Sequence, residues 1–106
     1  MSNITPHRWL HPWRAITQGE APAFEAELGR EIGPGHDLEG VHAMAIARRD
    51  DCDDVLFALF GHARSLAVVH LTWSGQREVS PSLPSVELFE SWEAWAERGM
   101  QVDAGA

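Results

Sequence analysis

Three runs of β-branched, aromatic and small apolar residues fill the middle of the chain, and a five-residue connection follows each of the first two. The runs are residues 41–49, 55–60 and 66–73, and the connections are Asp50–Asp54 and Gly61–Ser65. Runs of this length, bounded by Asp, Gly and Ser, are typical of strands. Connections this short join antiparallel neighbours, because a parallel pair needs a crossover of about a dozen residues or more. The pattern therefore restricts this part of the chain to an antiparallel meander.

The predicted pairing sorts the strand side chains into two faces. If each connection closes symmetrically, Arg49 lies opposite Val55 and Phe60 lies opposite Leu66. One face is then wholly apolar and consists of Ala43, Ala45, Ala47, Val55, Phe57, Leu59, Ala67, Val69, Leu71 and Trp73. The other face carries an apolar patch of Met44, Ile46, Leu56, Phe60, Leu66 and Val68. A homodimer that hides this patch is one hypothesis for the second face.

A helix is predicted before the meander. Phe24, Leu28 and Ile32 recur at four-residue spacing, and Pro22 suits the first turn of a helix. Glycines at 33 and 35 end the pattern. The sequence therefore predicts an N-terminal helix over residues 22–32.

The strongest helical periodicity lies near the C-terminus. Apolar side chains at 88, 89, 92, 95 and 96 share one side of a helix, and glutamates at 87, 90, 93 and 97 share the other. Ser85 suits the N-cap and Gly99 suits the left-handed position after the last turn, so a helix is predicted over residues 86–98. We expect its Trp92 and Trp95 to pack on the all-apolar face, where small alanines leave room for large rings.

The chain of 106 residues is predicted to be one domain, 1–106. Residues 1–20 form an irregular arm, residues 77–79 form a fourth short strand, and residues 101–106 form a polar tail. The predicted fold class is α+β: a three- to four-stranded antiparallel meander sheet packed by an N-terminal helix and a C-terminal amphipathic helix.

The charge of the chain excludes several classes of partner. Sixteen acidic residues stand against eight arginines, a formal net charge of -8. Nucleic acid and anionic membrane surfaces need a positive footprint, so neither is expected as a partner. The N-terminal stretch lacks a continuous apolar run, so no signal peptide or membrane span is expected. The single cysteine, Cys52, suits a reducing cytoplasm.

The residue patterns favour an interaction protein over an enzyme. No Gly-x-Ser-x-Gly elbow and no phosphate-binding glycine pattern occurs. Cys52 lies among four aspartates, which disfavour its thiolate. We therefore predict no catalytic residue, no cofactor and a non-enzymatic protein that binds another protein, with a basic partner matching its charge and an immunity or accessory role as one instance. The candidate partner-binding residues are Trp9, Trp13, Glu87, Glu90, Glu93 and Glu97.

Histidines provide the alternative hypothesis. In the predicted register His42 and His62 lie opposite each other near one end of the sheet, and His36 and Asp37 lie just upstream. Imidazoles bind transition metals and serve as general bases, and a carboxylate commonly orients one of them. The alternative is therefore a small metal-binding protein or enzyme that uses His36, His42 and His62.

The segment Val68–Gly75, VVHLTWSG, resembles a segment of a group of small, mostly uncharacterised bacterial proteins. The similarity extends to Gly35-His36, Cys52–Phe57 and Phe89–Trp95, and so spans roughly residues 35–100. The group has no established activity, so the resemblance implies a bacterial, cytosolic protein and no particular chemistry. A likeness to immunity proteins, small acidic sheet-and-helix domains that neutralise toxins, is one of fold alone.

Overall fold

A five-stranded antiparallel sheet forms the centre of the fold in the computed structural model, which describes residues 9–78, 80 and 82–105. The strands lie in chain order: β1 Trp13–Ala15, β2 His42–Arg49, β3 Asp54–Phe60, β4 Leu66–His70 and β5 Ser85–Phe89. Helix α1, Ala21–Glu31, connects β1 to β2. The predicted α+β class and antiparallel sheet are confirmed, and the sheet has five strands rather than three or four.

A C-terminal helical segment follows the sheet. It consists of α2 Trp92–Trp95, a π-helical turn Ala96–Met100 and α3 Gln101–Gly105, so residues 101–105 are helical rather than a polar tail. No helix in residues 9–78, 80 and 82–105 is both long and apolar enough to cross a membrane.

Two strands arise from segments for which other structures were predicted. Trp13–Ala15, expected in an irregular arm, pairs with β2. Residues 85–89, expected to begin a helix, pair with β4 along their whole length. The helix prediction over 85–89 is wrong because β4 offers an open edge, and Val86 and Leu88 pack into the core on one face of the sheet. Arg77 and Glu78 belong to no strand; Val79 and residues 1–8 lie outside the described part of the chain.

The strand register departs from the symmetric closure. Leu66 lies opposite Ala58 rather than Phe60, a shift of two residues that leaves every side chain of β4 on its predicted face. Strand β2 contains a bulge between Ala45 and Ala47. The extra residue turns Ala47 to the second face, which contradicts its predicted place on the all-apolar face.

The sheet carries a core on each face. The first core lies beneath α1 and contains Phe24, Leu28, Leu38, Ala45, Val55, Phe57, Leu59, Ala67, Val69 and Leu71. The second core lies beneath the C-terminal helical segment and contains Trp13, Ala47, Leu56, Ala58, Leu66, Phe89, Trp95 and Met100. The predicted packing of Trp95 on the all-apolar face is therefore wrong. Because residues 85–89 extend the sheet, the helix begins later and returns across the opposite face.

The second core covers most of the apolar patch for which a homodimer was considered. Leu56 and Leu66 are buried, whereas Met44 and Phe60 are 41% and 47% exposed. The homodimer stays a prediction, with an exposed apolar area reduced to these two side chains and their partly buried neighbours.

Gly99 lies inside the π-helical turn rather than after the end of a helix. A Cβ atom there would lie 2.8 Å from Cδ1 and Nε1 of Trp95, so only glycine lets the indole approach the backbone this closely. The predicted role of Gly99 as a left-handed cap is wrong, and its role is steric.

Ser91 caps the C-terminal helical segment. Its Oγ accepts a hydrogen bond from the backbone N–H of Ala94 at 3.1 Å. We expect Ser91→Ala to lower the free energy of unfolding by about 1 kcal/mol, because one N–H of the first turn loses its partner. Urea denaturation monitored by circular dichroism measures the change, with Ser65→Ala at an exposed turn position as the control. Equal stabilities of the two variants would contradict a capping role.

Candidate functional site

Two glutamates one turn apart on α1 are buried. Glu27 is 1% exposed and Glu31 is 0% exposed. With Phe24 and Leu28 they occupy the stripe of α1 that faces the protein interior. Glutamates are almost never fully buried unless they are paired, so the contacts of these two carboxyl groups define the first candidate site.

The partners of both carboxyl groups come from the segment Thr72–Gly75, here called the Trp73 loop. Glu31 Oε1 accepts the backbone N–H of Thr72 at 2.9 Å, and Oε2 accepts that of Trp73 at 2.8 Å. Glu27 Oε2 accepts the backbone N–H of Gly75 at 3.0 Å. Glu27 and Glu31, here called the glutamate clamp, therefore fasten the backbone of a surface loop to a helix.

The two carboxyl groups lie one turn apart on the same buried stripe of α1, and each shifts the pKa of the other. Burial raises the pKa of Glu31, whereas the hydrogen bond from Glu31 lowers the pKa of Glu27. Gly75 and Arg30 favour the ionised form of Glu27 further, and Arg30 Nη2 lies 2.8 Å from its Oε1. Of the two, Glu31 is therefore the group that keeps a proton to higher pH, and Glu27 is the group that ionises first.

The glutamate clamp holds Trp73 in an unusual backbone conformation. Its φ is +57°, and among the described residues it is the non-glycine residue with a positive φ. A bulky side chain rarely adopts this region, and such strain clusters at functional sites, where surrounding contacts maintain it. Trp73 was predicted to face the all-apolar sheet core, but β4 ends at His70 and the indole is 44% exposed.

Aromatic and polar groups support the Trp73 loop from both sides. The indole of Trp73 meets the ring of Phe24 edge-on, with centroids 5.5 Å apart, and the guanidinium of Arg48 lies 5.5 Å from the same phenyl ring. The hydroxyls of Thr72 and Ser74 donate to Glu78 Oε2 at 2.7 and 3.2 Å. The backbone of the loop and the indole ring of Trp73 are therefore both held by contacts with the rest of the protein.

A second polar cluster lies where β3 begins and β4 ends. His70 Nδ1 is 2.8 Å from Asp54 Oδ1, and Ser85 lies opposite His70 on β5. These three residues line a shallow cavity of about 170 Å³. Serine hydrolases use the same residue types, with histidine as the base for the serine. Among the described residues His70 makes no hydrogen bond to Ser85. The cluster therefore lacks the histidine–serine hydrogen bond through which a histidine activates a serine.

Arg49 connects the second cluster to the rest of the fold. Its guanidinium lies 2.7 Å from Asp51, 3.8 Å from Asp54 and 3.3 Å from Asp103. The hydrogen bond to Asp51 raises the pKa of Arg49, and the same bond lowers the pKa of Asp51. Asp103 also accepts the indole N–H of Trp13 at 2.8 Å. This network fastens α3 to β1 and β2.

Cys52 lies in the connection between β2 and β3 and is partly buried. Burial raises the pKa of its thiol, and the charges of Asp54 and Asp51 raise it further. The predicted suppression of the thiolate therefore has burial as its main cause.

His36, a ligand in the metal-binding hypothesis, is 5% exposed and hydrogen-bonds to the backbone on both sides. Nδ1 accepts the N–H of Leu38 at 3.0 Å, so Nε2 carries the proton and donates to the carbonyl of Pro84 at 2.8 Å. Both ring nitrogens are occupied, and His36 joins the segment after α1 to the segment before β5. Asp37 beside it is exposed.

The other two histidines of that hypothesis lie at the start of β2 and in the connection between β3 and β4. The His42 ring contacts the ring of Phe60, and His62 Nδ1 accepts the backbone N–H of Arg64 at 2.9 Å. No three His, Cys, Asp or Glu side chains converge on a possible metal position in the part of the chain that the structure describes. Among the described residues His36, His42 and His62 therefore do not come together as a ligand set, and the metal-binding alternative stays a prediction.

The two tryptophans predicted to bind a partner both pack against the protein. Trp13 is 2% exposed in the second core, so it is not part of the described surface, and its partner-binding role stays a prediction. Trp9 is half-buried, and its ring lies 5.8 Å from Trp92 and 6.2 Å from Trp95, measured between centroids. The second core recruits both indoles because large rings fill the space beside Trp95.

The predicted stripe of glutamates is divided between two elements. Glu87 lies on β5, Glu90 lies in the bend after it, and Glu93 and Glu97 lie on the C-terminal helical segment. All four side chains are exposed, and Glu90 pairs with Arg98 at 2.9 Å. They contribute negative charge to the surface but do not share one helix face.

The residues of the glutamate clamp carry a sequence signal that the prediction missed. Positions 24, 27, 28 and 31 have the spacing of one buried helix stripe, and two of the four are glutamates. Acids on such a stripe indicate a buried polar contact. The pair of Asp54 and His70 carries no comparable signal. The two residues meet because of the pairing of β3 with β4, and the pairing predicted from the sequence differs from the observed one by two residues.

Comparison of the chain with protein-family models, curated proteins and solved structures finds no match in any of the three. The resemblance of the VVHLTWSG segment to a bacterial group therefore stays a prediction. The fold and the sites define a small α+β domain with a five-stranded antiparallel sheet. Its surface carries a tryptophan in a loop whose backbone is bound by two buried glutamates.

Proposed function

We propose that this chain is a bacterial, cytoplasmic protein-interaction domain and that it binds another protein through the Trp73 loop. The observation that carries the proposal is the half-exposed side chain of Trp73. The glutamate clamp binds the backbone of this residue, which has a φ of +57°. Tryptophan is among the residues most enriched at the energetic centres of protein interfaces. A strained tryptophan that leaves nearly half its surface open is better suited to recognition than to packing.

Preorganisation supports this role for the loop. The backbone N–H groups of Thr72, Trp73 and Gly75 are already bound, and Phe24 supports the indole. Ordering a loop on binding opposes association, so a loop that is ordered beforehand loses less free energy on binding. The glutamate clamp therefore favours binding through Trp73 without contacting the partner itself.

The charge of the surface supports a basic partner. The formal net charge of the chain is -8, and Glu87, Glu93 and Glu97 are exposed. Attraction between such a surface and a basic protein accelerates association and weakens with added salt. An immunity or accessory role is one instance of this function, and the proposal includes neither nucleic acid nor membrane as a partner.

The proposal predicts a specific loss of affinity for Trp73→Ala. Chemical crosslinking in extract of the source cells identifies the partner, and calorimetry with the purified partner then measures the dissociation constant. We expect Trp73→Ala to weaken binding by at least about tenfold, since truncation of a central interface tryptophan removes more than about 1 kcal/mol. Leu83→Ala is the matched control, because Leu83 is 41% exposed and lies outside the loop.

Two results would contradict the proposal. Recovery of no partner over a range of salt concentrations would count against an interaction function. A partner that binds Trp73→Ala as tightly as the parent protein, but loses affinity for Glu93→Gln and Glu97→Gln, would place recognition on the C-terminal helical segment instead.

A further inference from the structure

The Trp73 loop is attached to α1 through groups that can gain or lose a proton. Of the four residues in the loop, Thr72, Trp73 and Gly75 donate their backbone N–H groups to the glutamate clamp. The neighbouring backbone contact, from the N–H of Glu78 to the carbonyl of Glu31 at 3.1 Å, lies beyond the loop. The docking of the loop backbone therefore depends on the state of two carboxyl groups.

The charge of the glutamate clamp depends on a single proton. With one proton the pair carries one negative charge, which three backbone N–H groups and Arg30 stabilise. Without it, two negative charges remain one helical turn apart at positions that are 1% and 0% exposed. Water cannot screen charges at such positions, so their repulsion is much stronger than it would be at the surface.

The charged groups around the glutamate clamp do not compensate a second charge. Arg30, on the same helix, bonds to Glu27 and has a side chain that is 50% exposed. Glu78, on the segment after the loop, adds negative charge and is bound to Thr72 and Ser74. Arg77 from that segment lies with its aliphatic carbons against Gly33. Arg30 is thus the cation hydrogen-bonded to the pair within the described part of the chain.

We propose that the glutamate clamp is a proton-dependent latch: one proton on the pair of Glu27 and Glu31 keeps the Trp73 loop docked on α1, and loss of that proton releases it. Release frees the backbone N–H groups of the loop and admits water to both carboxylates. The consequence for partner binding rests on the proposed function, because a released loop no longer presents Trp73 in one conformation.

The direction of the pH response follows from the two glutamates. Burial raises the pKa of Glu31 in the docked state, so docking is fully favoured below the ordinary pKa of glutamate and weakens as pH rises through the raised value. The pKa of Glu27 is lowered, so its contribution is lost only as pH falls below the ordinary glutamate range. Release of the loop is therefore expected on the alkaline side.

Amide hydrogen exchange of the native protein, followed by NMR between about pH 5 and about pH 9, tests the latch. Protection factors corrected for intrinsic exchange report docking at Thr72, Trp73 and Gly75. We expect their protection to fall about tenfold for each pKa unit that separates Glu31 in the docked and released states. Amides of the central strand β3 should keep constant protection over the same range.

Glu31→Gln replaces the ionisable carboxyl by a neutral amide of the same size, which has no proton to lose in this pH range. Because the amide stays neutral at every pH, as the protonated carboxyl does, we expect protection of the Trp73 loop in this variant to be independent of pH, without the alkaline loss of the parent protein. Glu97→Gln, at an exposed position, is the matched control and should keep the pH response of the parent protein. If Glu31→Gln fails to fold, NMR titration of the Glu27 and Glu31 carboxyl carbons in the parent protein replaces it, and one of the two should titrate above the ordinary range.

Loop protection that does not change with pH, or two carboxyl groups that both titrate in the ordinary range, would overturn the latch. Binding measurements separate this outcome from failure of the proposed function. If loop protection follows pH but Trp73→Ala binds its partner normally, the latch stands and the binding role of Trp73 fails. If Trp73→Ala loses affinity but protection is constant, the binding role stands and the latch fails.

Discussion

Replacing Trp95 with alanine is expected to lower the free energy of unfolding by about 3–5 kcal/mol. The side chain is 0% exposed at the centre of the second core, and its ring centroid lies 5.2 Å from that of Trp13 and 5.0 Å from that of Trp92. Its removal leaves a cavity that neighbouring rings fill only partly. Within residues 9–78, 80 and 82–105 the Trp95 Nε1 atom has no hydrogen-bond partner, so the expected loss is one of packing among these residues.

Urea denaturation with linear extrapolation measures this loss. Domains of this size have about 5–15 kcal/mol of stability in total, so the variant should unfold at a much lower urea concentration. Val102→Ala is the control, because Val102 lies on α3 and is 60% exposed; its change should stay within about 0.5 kcal/mol. A loss below about 1 kcal/mol for Trp95→Ala would refute the second core as described.

Replacing Glu31 with alanine is expected to be the next most damaging change, at about 2–3 kcal/mol. The variant removes the acceptors of two backbone hydrogen bonds, at 2.9 and 2.8 Å, and a buried donor left without its partner costs about 1–3 kcal/mol. Part of this loss is recovered because the freed N–H groups of the loop reach water. The effect is therefore smaller than the sum of two such bonds.

The location of the damage distinguishes this variant from an ordinary core substitution. We expect amides of the Trp73 loop to lose protection from hydrogen exchange, while amides of β2 and β3 keep theirs when measured under native conditions. Glu97→Ala, at an exposed position on the C-terminal helical segment, should leave both sets unchanged. Uniform loss of protection across the domain in Glu31→Ala would show that the residue serves the core rather than the loop.

The elements that the sequence predicts correctly are those determined by local patterns. Helix α1 and strands β2 to β4 lie within a few residues of their predicted bounds, because their apolar spacing and flanking turn residues agree with one structure only. The pattern of residues 85–89 fits both a strand and a helix. Val86, Glu87 and Leu88 alternate as a strand requires, while Leu88 and Phe89 also fit the helical pattern that continues to Trp95. The open edge of β4 decides between the two, and that edge exists only in the folded domain.

The candidate sites depend still more on long-range geometry. The contact between Asp54 and His70 requires a register that a short polar connection does not determine, and the bonds of His36 depend on the position of Pro84, 48 residues further on. The glutamate clamp is the exception. Glutamates at 27 and 31 on the buried stripe of α1 indicate that something must cover them, although the sequence does not show that the covering segment is the Trp73 loop.

The central strand β3 belongs to both cores of the domain. Successive side chains alternate between them, with Val55, Phe57 and Leu59 in the first core and Leu56 and Ala58 in the second. Disturbing the layer on one side shifts the backbone that the layer on the other side needs. The two halves should thus melt together in a single cooperative transition, with no stable species in which one half persists alone.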